Sequence, residues 1–188
     1  MTDQNVIAAR EARTALPDLI VPGLSGVFCG LNPGLAAAAV GHHFEGRGNR
    51  FWRAVHLAGF TERELKPAED VQLLKYGFGL ATVVCRPTAS ASELSKDEYV
   101  AAAEGLLCRL NRFRPTYIAF LGKDAYATMS QRKHVTWGLQ HEPLGTAKVW
   151  LLPNPSGRNR GFSLAELVEA YREFRLAAVG DVEPCPAG

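Results

Sequence analysis

Two asparagine–proline turns carry the residue types from which chemistry could be built. One is Asn32-Pro33-Gly34, at the end of the apolar run GVFCGL; the other is Asn154-Pro155-Ser156-Gly157-Arg158-Asn159-Arg160, after the apolar run KVWLL. Proline fixes φ and removes a donor, and glycine lets the main chain approach a ligand with no Cβ in the way. A side-chain amide held at such a turn offers donors and an acceptor but no titratable proton. It can orient a water molecule or grip a polar ligand, and it cannot act as a strong base. A lone Asn-Pro-Gly is most simply an Asx-type turn; its recurrence on a second loop, with an Arg-rich continuation, points to a site. Neither loop has the Lys-Ser/Thr of a P-loop or a Gly-x-Gly-x-x-Gly, so nucleotide cofactors are not indicated.

The elements that must position these loops are legible as short, continuous apolar runs at 26–31, 78–84, 117–121 and 148–152, the pattern of strands buried on both faces. Helices fill the gaps. Thr61-x-x-Glu64, Ser95-x-x-Glu98 and Ser163-x-x-Glu166 each fit a capping box. Tyr99, Ala103, Leu106, Leu107, Leu110 and Phe113 repeat at helical spacing, as do Leu164, Leu167, Val168, Tyr171 and Phe174. Strand and helix in alternation predict an α/β fold, a three-layer α/β/α sandwich with a mostly parallel central sheet. In such folds the ligand crevice lies beyond the carboxyl ends of the strands, where both Asn-Pro loops fall.

A chain of 188 residues, 47% of them hydrophobic, fits one domain: an N-terminal extension over 1–24, the domain proper over 25–178 and a disordered tail over 179–188. A formal net charge of +2 excludes a histone-like binder, so nucleic-acid affinity has to come from local clustering of Arg and Lys. Arg47, Arg50, Arg86, Lys123, Arg132, Lys133, Arg158 and Arg160 fall mostly in loops at the expected rim, and only Arg158 and Arg160 stand out as DNA contacts. Cys29, Cys85, Cys108 and Cys185 lack metal or disulfide spacing and read as reduced thiols; an iron–sulfur cluster using all four is the alternative, weakened by Cys185 lying in a Pro/Gly tail. His42-His43 has no third ligand at sensible spacing and reads as pocket rim or surface, while Phe51 and Trp52 read as core. No run approaches the ~20 apolar residues of a membrane span, which leads us to expect a soluble, cytoplasmic protein.

From GLNPG (30–34) through GNRFW (48–52), AGF (58–60), RPT (86–88), LGKDAY (121–126) and LPNPSGRNR (152–160) to LVEAYREF (167–174), the sequence resembles the mismatch-specific uracil-DNA glycosylases, related to the thymine-DNA glycosylases within the uracil-DNA glycosylase superfamily. The resemblance spans roughly residues 25–176. It implies a bacterial, nucleoid-associated, monofunctional enzyme that needs no metal or cofactor. The enzyme would flip uracil, chiefly opposite guanine, out of double-stranded DNA and hydrolyse its N-glycosidic bond. A stacked base cannot present its glycosidic carbon to water, so extrusion has to precede chemistry. It would act as a monomer and hand the abasic site to downstream repair enzymes.

Residue by residue, the resemblance makes Asn32 the catalytic amide that positions the attacking water. It places Leu31 and Gly34 around the base pocket, where backbone donors face uracil's carbonyls, and makes Phe44 the aromatic that stacks on the flipped base. An amide cannot strongly deprotonate water, so the reaction should lean on stabilising the departing uracil anion, with fixed donors worth on the order of 3 kcal/mol each. Glu93 and Glu45 are the acids that could assist the water, though a solvated loop carboxylate is the simpler reading of each. Asn154, Ser156, Gly157, Arg158, Asn159 and Arg160 match the loop that wedges into the vacated space, with Arg158 where bacterial relatives carry Leu. Ala36-Ala37 stands where they often carry Ser, and Thr82 where Lys is expected. Both departures imply a tolerant pocket, with thymine, 5-hydroxymethyluracil and ethenocytosine as minor substrates. A nucleic-acid-binding module with a decayed pocket is the non-enzymatic alternative.

Overall fold

The computed structural model describes residues 16–132 and 134–180. Five strands form one sheet: β1 (Gly26–Gly30), β2 (Phe78–Thr82), β3 (Tyr117–Leu121), β4 (Gly138–Leu139) and β5 (Lys148–Leu152), in the spatial order β2-β1-β3-β5-β4. The four strands expected from the sequence pair in parallel, and β4 adds an antiparallel edge too short to show any periodicity. Residues of β1, β2 and β3 are buried throughout, as strands covered on both faces must be.

Helices α1 (Leu35–Val40), α2 (Phe51–Leu57), α3 (Lys96–Phe113), α4 (Lys123–Met129) and α5 (Leu164–Gly180) supply the two outer layers, with a 3₁₀ segment over Pro67–Tyr76. Period-two alternation divides the core. Phe28, Phe78, Leu80, Ala119 and Leu152 face α2 and α5, where Phe51, Tyr171 and Phe174 fill the space; Val27, Cys29, Ala81, Ile118 and Leu151 face α3 through Leu106 and Leu110. The boxes Ser95/Glu98 and Ser163/Glu166 form as expected. The one at Thr61 does not: Thr61 Oγ1 donates to Arg63 O, and Glu69, not Glu64, reaches back to the Lys66 N–H at 2.9 Å. Pro67 is the cause, because it forces Lys66 into an extended conformation and no helix can run through it.

Residues 16–24, assigned above to an extension, pack as part of the domain. Leu16, Ile20 and Leu24 are buried, and Leu19 exchanges both backbone hydrogen bonds with Leu80 at 2.8 and 3.0 Å, shielding the β2 edge. Asp18 ties this strap to Arg109 of α3 at 2.7 Å. The expectations for residues 1–15 and 181–188 lie outside the described residues. Among the described residues no helix is long and apolar enough to cross a membrane.

Candidate active site

Strand order reverses direction between β1 and β3, the place where a doubly wound sheet opens a crevice. Three carboxyl ends meet there. Gly122, which follows β3, adopts φ +113°, a conformation open to glycine, and its missing Cβ would lie 3.7 Å from Asn154 Nδ2 and 4.0 Å from Leu31 Cδ2. The two Asn-Pro loops are therefore neighbours across a single glycine.

Asn32 is fixed from the β2 side. The β1–β2 ladder continues past both strands, with the N–H groups of Val83, Val84 and Thr88 donating to the carbonyls of Gly30, Leu31 and Pro33. Asn32 Nδ2 donates to Thr88 Oγ1 at 2.7 Å and to Arg86 O at 2.9 Å, with a longer approach to Pro33 O at 3.3 Å. Thr88 is buried, and its own proton goes to Ser90 O at 2.9 Å, so its oxygen can only accept from Asn32. This network leaves one amide orientation: nitrogen inward, Oδ1 outward and free of any partner among the described residues. Gly34 has an ordinary φ of −70°, and an added Cβ would meet nothing within 4 Å. Neither backbone strain nor packing calls for glycine there.

Phe44 lies on the α2 side of the same strand tip. Its ring stacks on Phe51 with centroids 3.8 Å apart and reaches within 3.6 Å of where a Gly30 Cβ would be. Its backbone sits at φ +56°, which is strained for a bulky residue and is maintained by contacts around it. The preceding residue supplies them. His43 N–H donates to Asp70 Oδ2 at 3.0 Å, its carbonyl accepts from Trp52 Nε1 at 3.2 Å, and its Nε2 lies 2.9 Å from Pro17 O. His43 is therefore interior, not rim or surface as the sequence suggested, and burial holds its pKa below the ordinary histidine value. His42 is half-buried, with Nδ1 3.5 Å from Asp70. A cleft of about 480 Å³ opens beside Phe44, lined also by Glu45, Asn49, Trp52 and Leu65, and Asn32 is not part of its wall.

The second loop is a set of nested turns. Asn154 Oδ1 accepts from Ser156 N–H at 2.9 Å, Asn159 Nδ2 donates to Asn154 O at 2.8 Å, and Ser156 Oγ accepts from Arg158 N–H at 3.3 Å. Arg50 grips it from outside, donating to the carbonyls of Phe162 at 2.6 Å, Asn159 at 2.9 Å, Ser156 at 3.2 Å and Pro155 at 3.3 Å. Gly157 crosses so close to the 47–50 turn that a Cβ would sit 2.6 Å from Gly48 O. Arg158 and Arg160 are exposed, and Arg158 Nη1 donates to Ala89 O at 3.0 Å, joining this loop to the one that fixes Asn32.

Several other cations grouped with the rim have different partners. Arg50 is spent on main-chain carbonyls, Arg86 is paired with Glu98 at 2.7 Å, Arg132 is paired with Glu142, and Lys123 lies 4.3 Å over the Trp137 ring; Lys133 lies outside the described residues. Neither proposed acid hydrogen-bonds Asn32. Glu93 accepts from Ser90 N–H at 2.8 Å, and Glu45 accepts from Gly46 N–H at 3.1 Å. Cys29 is buried in β1, with its thiol pushed up by desolvation, Cys85 and Cys108 are exposed, and Cys185 lies outside the described residues. Among the described residues no three His, Cys, Asp or Glu side chains gather as a metal site. The sequence reading missed Thr88 and Arg50 as organisers; their only signal is their place in the RPT and GNRFW stretches.

Known proteins carry the same architecture. A solution structure from Methanosarcina acetivorans, provisionally named a uracil DNA glycosylase, superposes with a TM-score of 0.54 at 18% identity, covering 87% of this chain and 98% of its own, which shows the shared fold. The family model for the uracil DNA glycosylase superfamily matches residues 17–175, from the N-terminal strap to the last helix and through both Asn-Pro loops. The chain belongs to the uracil DNA glycosylase superfamily.

Proposed function

We propose that the chain is a mismatch-directed, monofunctional uracil-DNA glycosylase, acting as a monomer on uracil opposite guanine in double-stranded DNA. The observation that carries this reading is the locked amide of Asn32. With both N–H groups committed inward, Oδ1 is presented at the strand tip as an acceptor. It orients a water molecule toward C1′ of an extruded nucleotide without having to take its proton.

Bond breaking then leads. The C1′–N1 bond cleaves to give an oxocarbenium-like sugar and a uracil anion; water adds to C1′, its proton is lost, and the anion is protonated to give free uracil and an abasic site. Backbone donors around Leu31 and Gly34 stabilise the anionic oxygen, an effect on the order of 3 kcal/mol per donor in comparable sites. The path requires no metal. Phe44, braced on Phe51, offers a flat surface for the base. The 154–160 loop, held rigid by Arg50, fills the gap in the helix, with Arg158 as the wedge and Asn154, Ser156, Gly157, Asn159 and Arg160 presenting backbone and cationic groups to the opposite strand. Glu93 and Glu45 act in turns, as their hydrogen bonds suggest. Ala36-Ala37 and Thr82 widen the pocket toward 5-substituted pyrimidines.

A time course of base release tests the proposal. Duplexes carrying uracil opposite guanine or adenine, thymine, 5-hydroxymethyluracil or ethenocytosine opposite guanine, and single-stranded uracil are compared under single-turnover conditions. Fastest release from the uracil–guanine duplex, with slower release of the others, is expected. No base release from any substrate would overturn the activity, and equal rates opposite guanine and adenine would overturn the mismatch preference.

A further inference from the structure

Both close acceptors that fix the Asn32 amide, Arg86 O and Thr88 Oγ1, belong to the connection between β2 and α3. Its residues Cys85, Arg86 and Ala89 are exposed, and the N–H groups of Val83, Val84 and Thr88 tie it only to the extension of β1. A surface connection held along one side does not by itself keep an acceptor still. The other side has to be anchored as well.

The approach to α3 and its first turn supply that anchor. Arg86 Nε donates to Glu98 Oε1 at 2.7 Å, and Arg86 Nη2 donates to Glu98 Oε2 at 3.1 Å and to Glu93 O at 3.2 Å. A two-point fork of this kind fixes direction as well as distance. Glu98 is held in turn, because Oε2 also accepts from Ser95 N–H at 2.9 Å as the return arm of the capping box. Glu93 Oε1 accepts from Ser90 N–H at 2.8 Å, and Ser90 O takes the Thr88 proton at 2.9 Å. Both short bonds that orient the carboxamide therefore lead back to the start of α3.

Arg86 and Glu98 side chains are 49% and 33% exposed, and an ion pair so placed contributes little to stability. We propose that Glu98 is a positioning residue for base release: it touches no substrate, and it holds Arg86 so that the Arg86 carbonyl keeps the Asn32 carboxamide in its working orientation. The inference rests on the glycosylase reading above. The two tasks of Glu98 are separable. Glutamine can serve as the return arm of a capping box, but it offers the guanidinium one oxygen and no charge.

The test compares the full-length parent with Glu98→Gln, Ser95→Ala, Asn32→Ala and the double variant Glu98→Gln/Asn32→Ala. Each is followed by thermal unfolding, by duplex affinity and by single-turnover uracil release opposite guanine. Hydrogen exchange of the Asn32 side-chain amide is read by NMR in the variants that retain it, with the signals assigned by their loss in Asn32→Ala. Glu98→Gln is expected to keep Tm within about 2 °C of the parent and to bind the duplex as the parent does. It should slow uracil release by roughly tenfold, as a misplacement of under ~1 Å would, and speed exchange of the Asn32 amide. Ser95→Ala loses a cap and keeps the fork, so Tm should fall by about 2–4 °C with parental release well below Tm. In the Asn32→Ala background Glu98→Gln should slow release no further, because its effect passes through the missing amide. Parental release and amide exchange in Glu98→Gln, or an equal loss of rate with and without the Asn32 amide, would overturn the assignment. Tighter duplex binding by Glu98→Gln at the parental rate would also overturn it, making Arg86 a masked phosphate ligand. A parent that releases no base would overturn the glycosylase reading instead, and amide exchange alone would then decide whether Glu98 holds Asn32.

Discussion

Arg50 offers the sharpest perturbation. Its guanidinium donates to four carbonyls of residues 155–162, from 2.6 to 3.3 Å, and its N–H adds a fifth bond to Pro155 O at 3.0 Å. Charged donors contribute about 1.5–3 kcal/mol each in the interior. The site is half-exposed, and water can replace some of the lost donors, so Arg50→Ala should cost about 2–4 kcal/mol in total rather than the full sum. For a chain of this size that lowers Tm by on the order of 10 °C. Function should suffer beyond stability, because a loop released by even ~1 Å can cost about 100-fold in rate. Single-turnover base release well below Tm, with the folded fraction checked by circular dichroism, separates the two effects. Arg50→Lys restores charge but not the fork, and is expected to recover Tm only in part. An Arg50→Ala protein with Tm within 2 °C of the parent and parental release from a mispaired duplex, by the ~10 °C reasoning above, would refute the claim that this side chain holds the loop.

Gly157→Ala forces a Cβ to 2.6 Å from Gly48 O, backbone against backbone, and thermal unfolding should show a loss of about 1–3 kcal/mol. Gly34→Ala has room and an allowed φ, so unfolding should change by less than about 1 kcal/mol while base release falls sharply. His43 has a folded pKa held below its ordinary 6.5 by burial, with Asp70, Asp18 and His42 as its charged neighbours. Its contribution is complete above pH 6.5 and is lost as pH falls through the folded value; the fall in Tm over that range should be shallower in His43→Gln.

Much of the frame was legible because its signals are local. Four buried strands announce themselves as uninterrupted apolar runs, and two capping boxes mark true helix starts. Strand β4 escaped because two residues carry no period, and the third box failed because Pro67 outweighs the Thr61 signal. The two Asn-Pro loops could be placed at one sheet edge from the alternation of elements alone. What could not be read was long-range. Asn32 is oriented by Thr88, 56 positions away; Phe44 is held through Asp70; and Arg50 reaches 105–112 positions to the second loop. A surface-looking arginine and a paired-looking histidine gave no local hint that both are internal braces, since their partners are main-chain carbonyls and a carboxylate supplied by tertiary structure.

The central claim is that the Asn32 carboxamide orients the attacking water, and it can be measured alone. Single-turnover uracil release from a guanine-mispaired duplex, with duplex affinity followed by fluorescence anisotropy, is compared for the parent and Asn32→Ala. The account predicts a rate lower by at least about 100-fold with affinity within a few fold, the range for a positioned group acting on a reacting water. An Asn32→Ala protein that binds the duplex and releases uracil at the parental rate would contradict it.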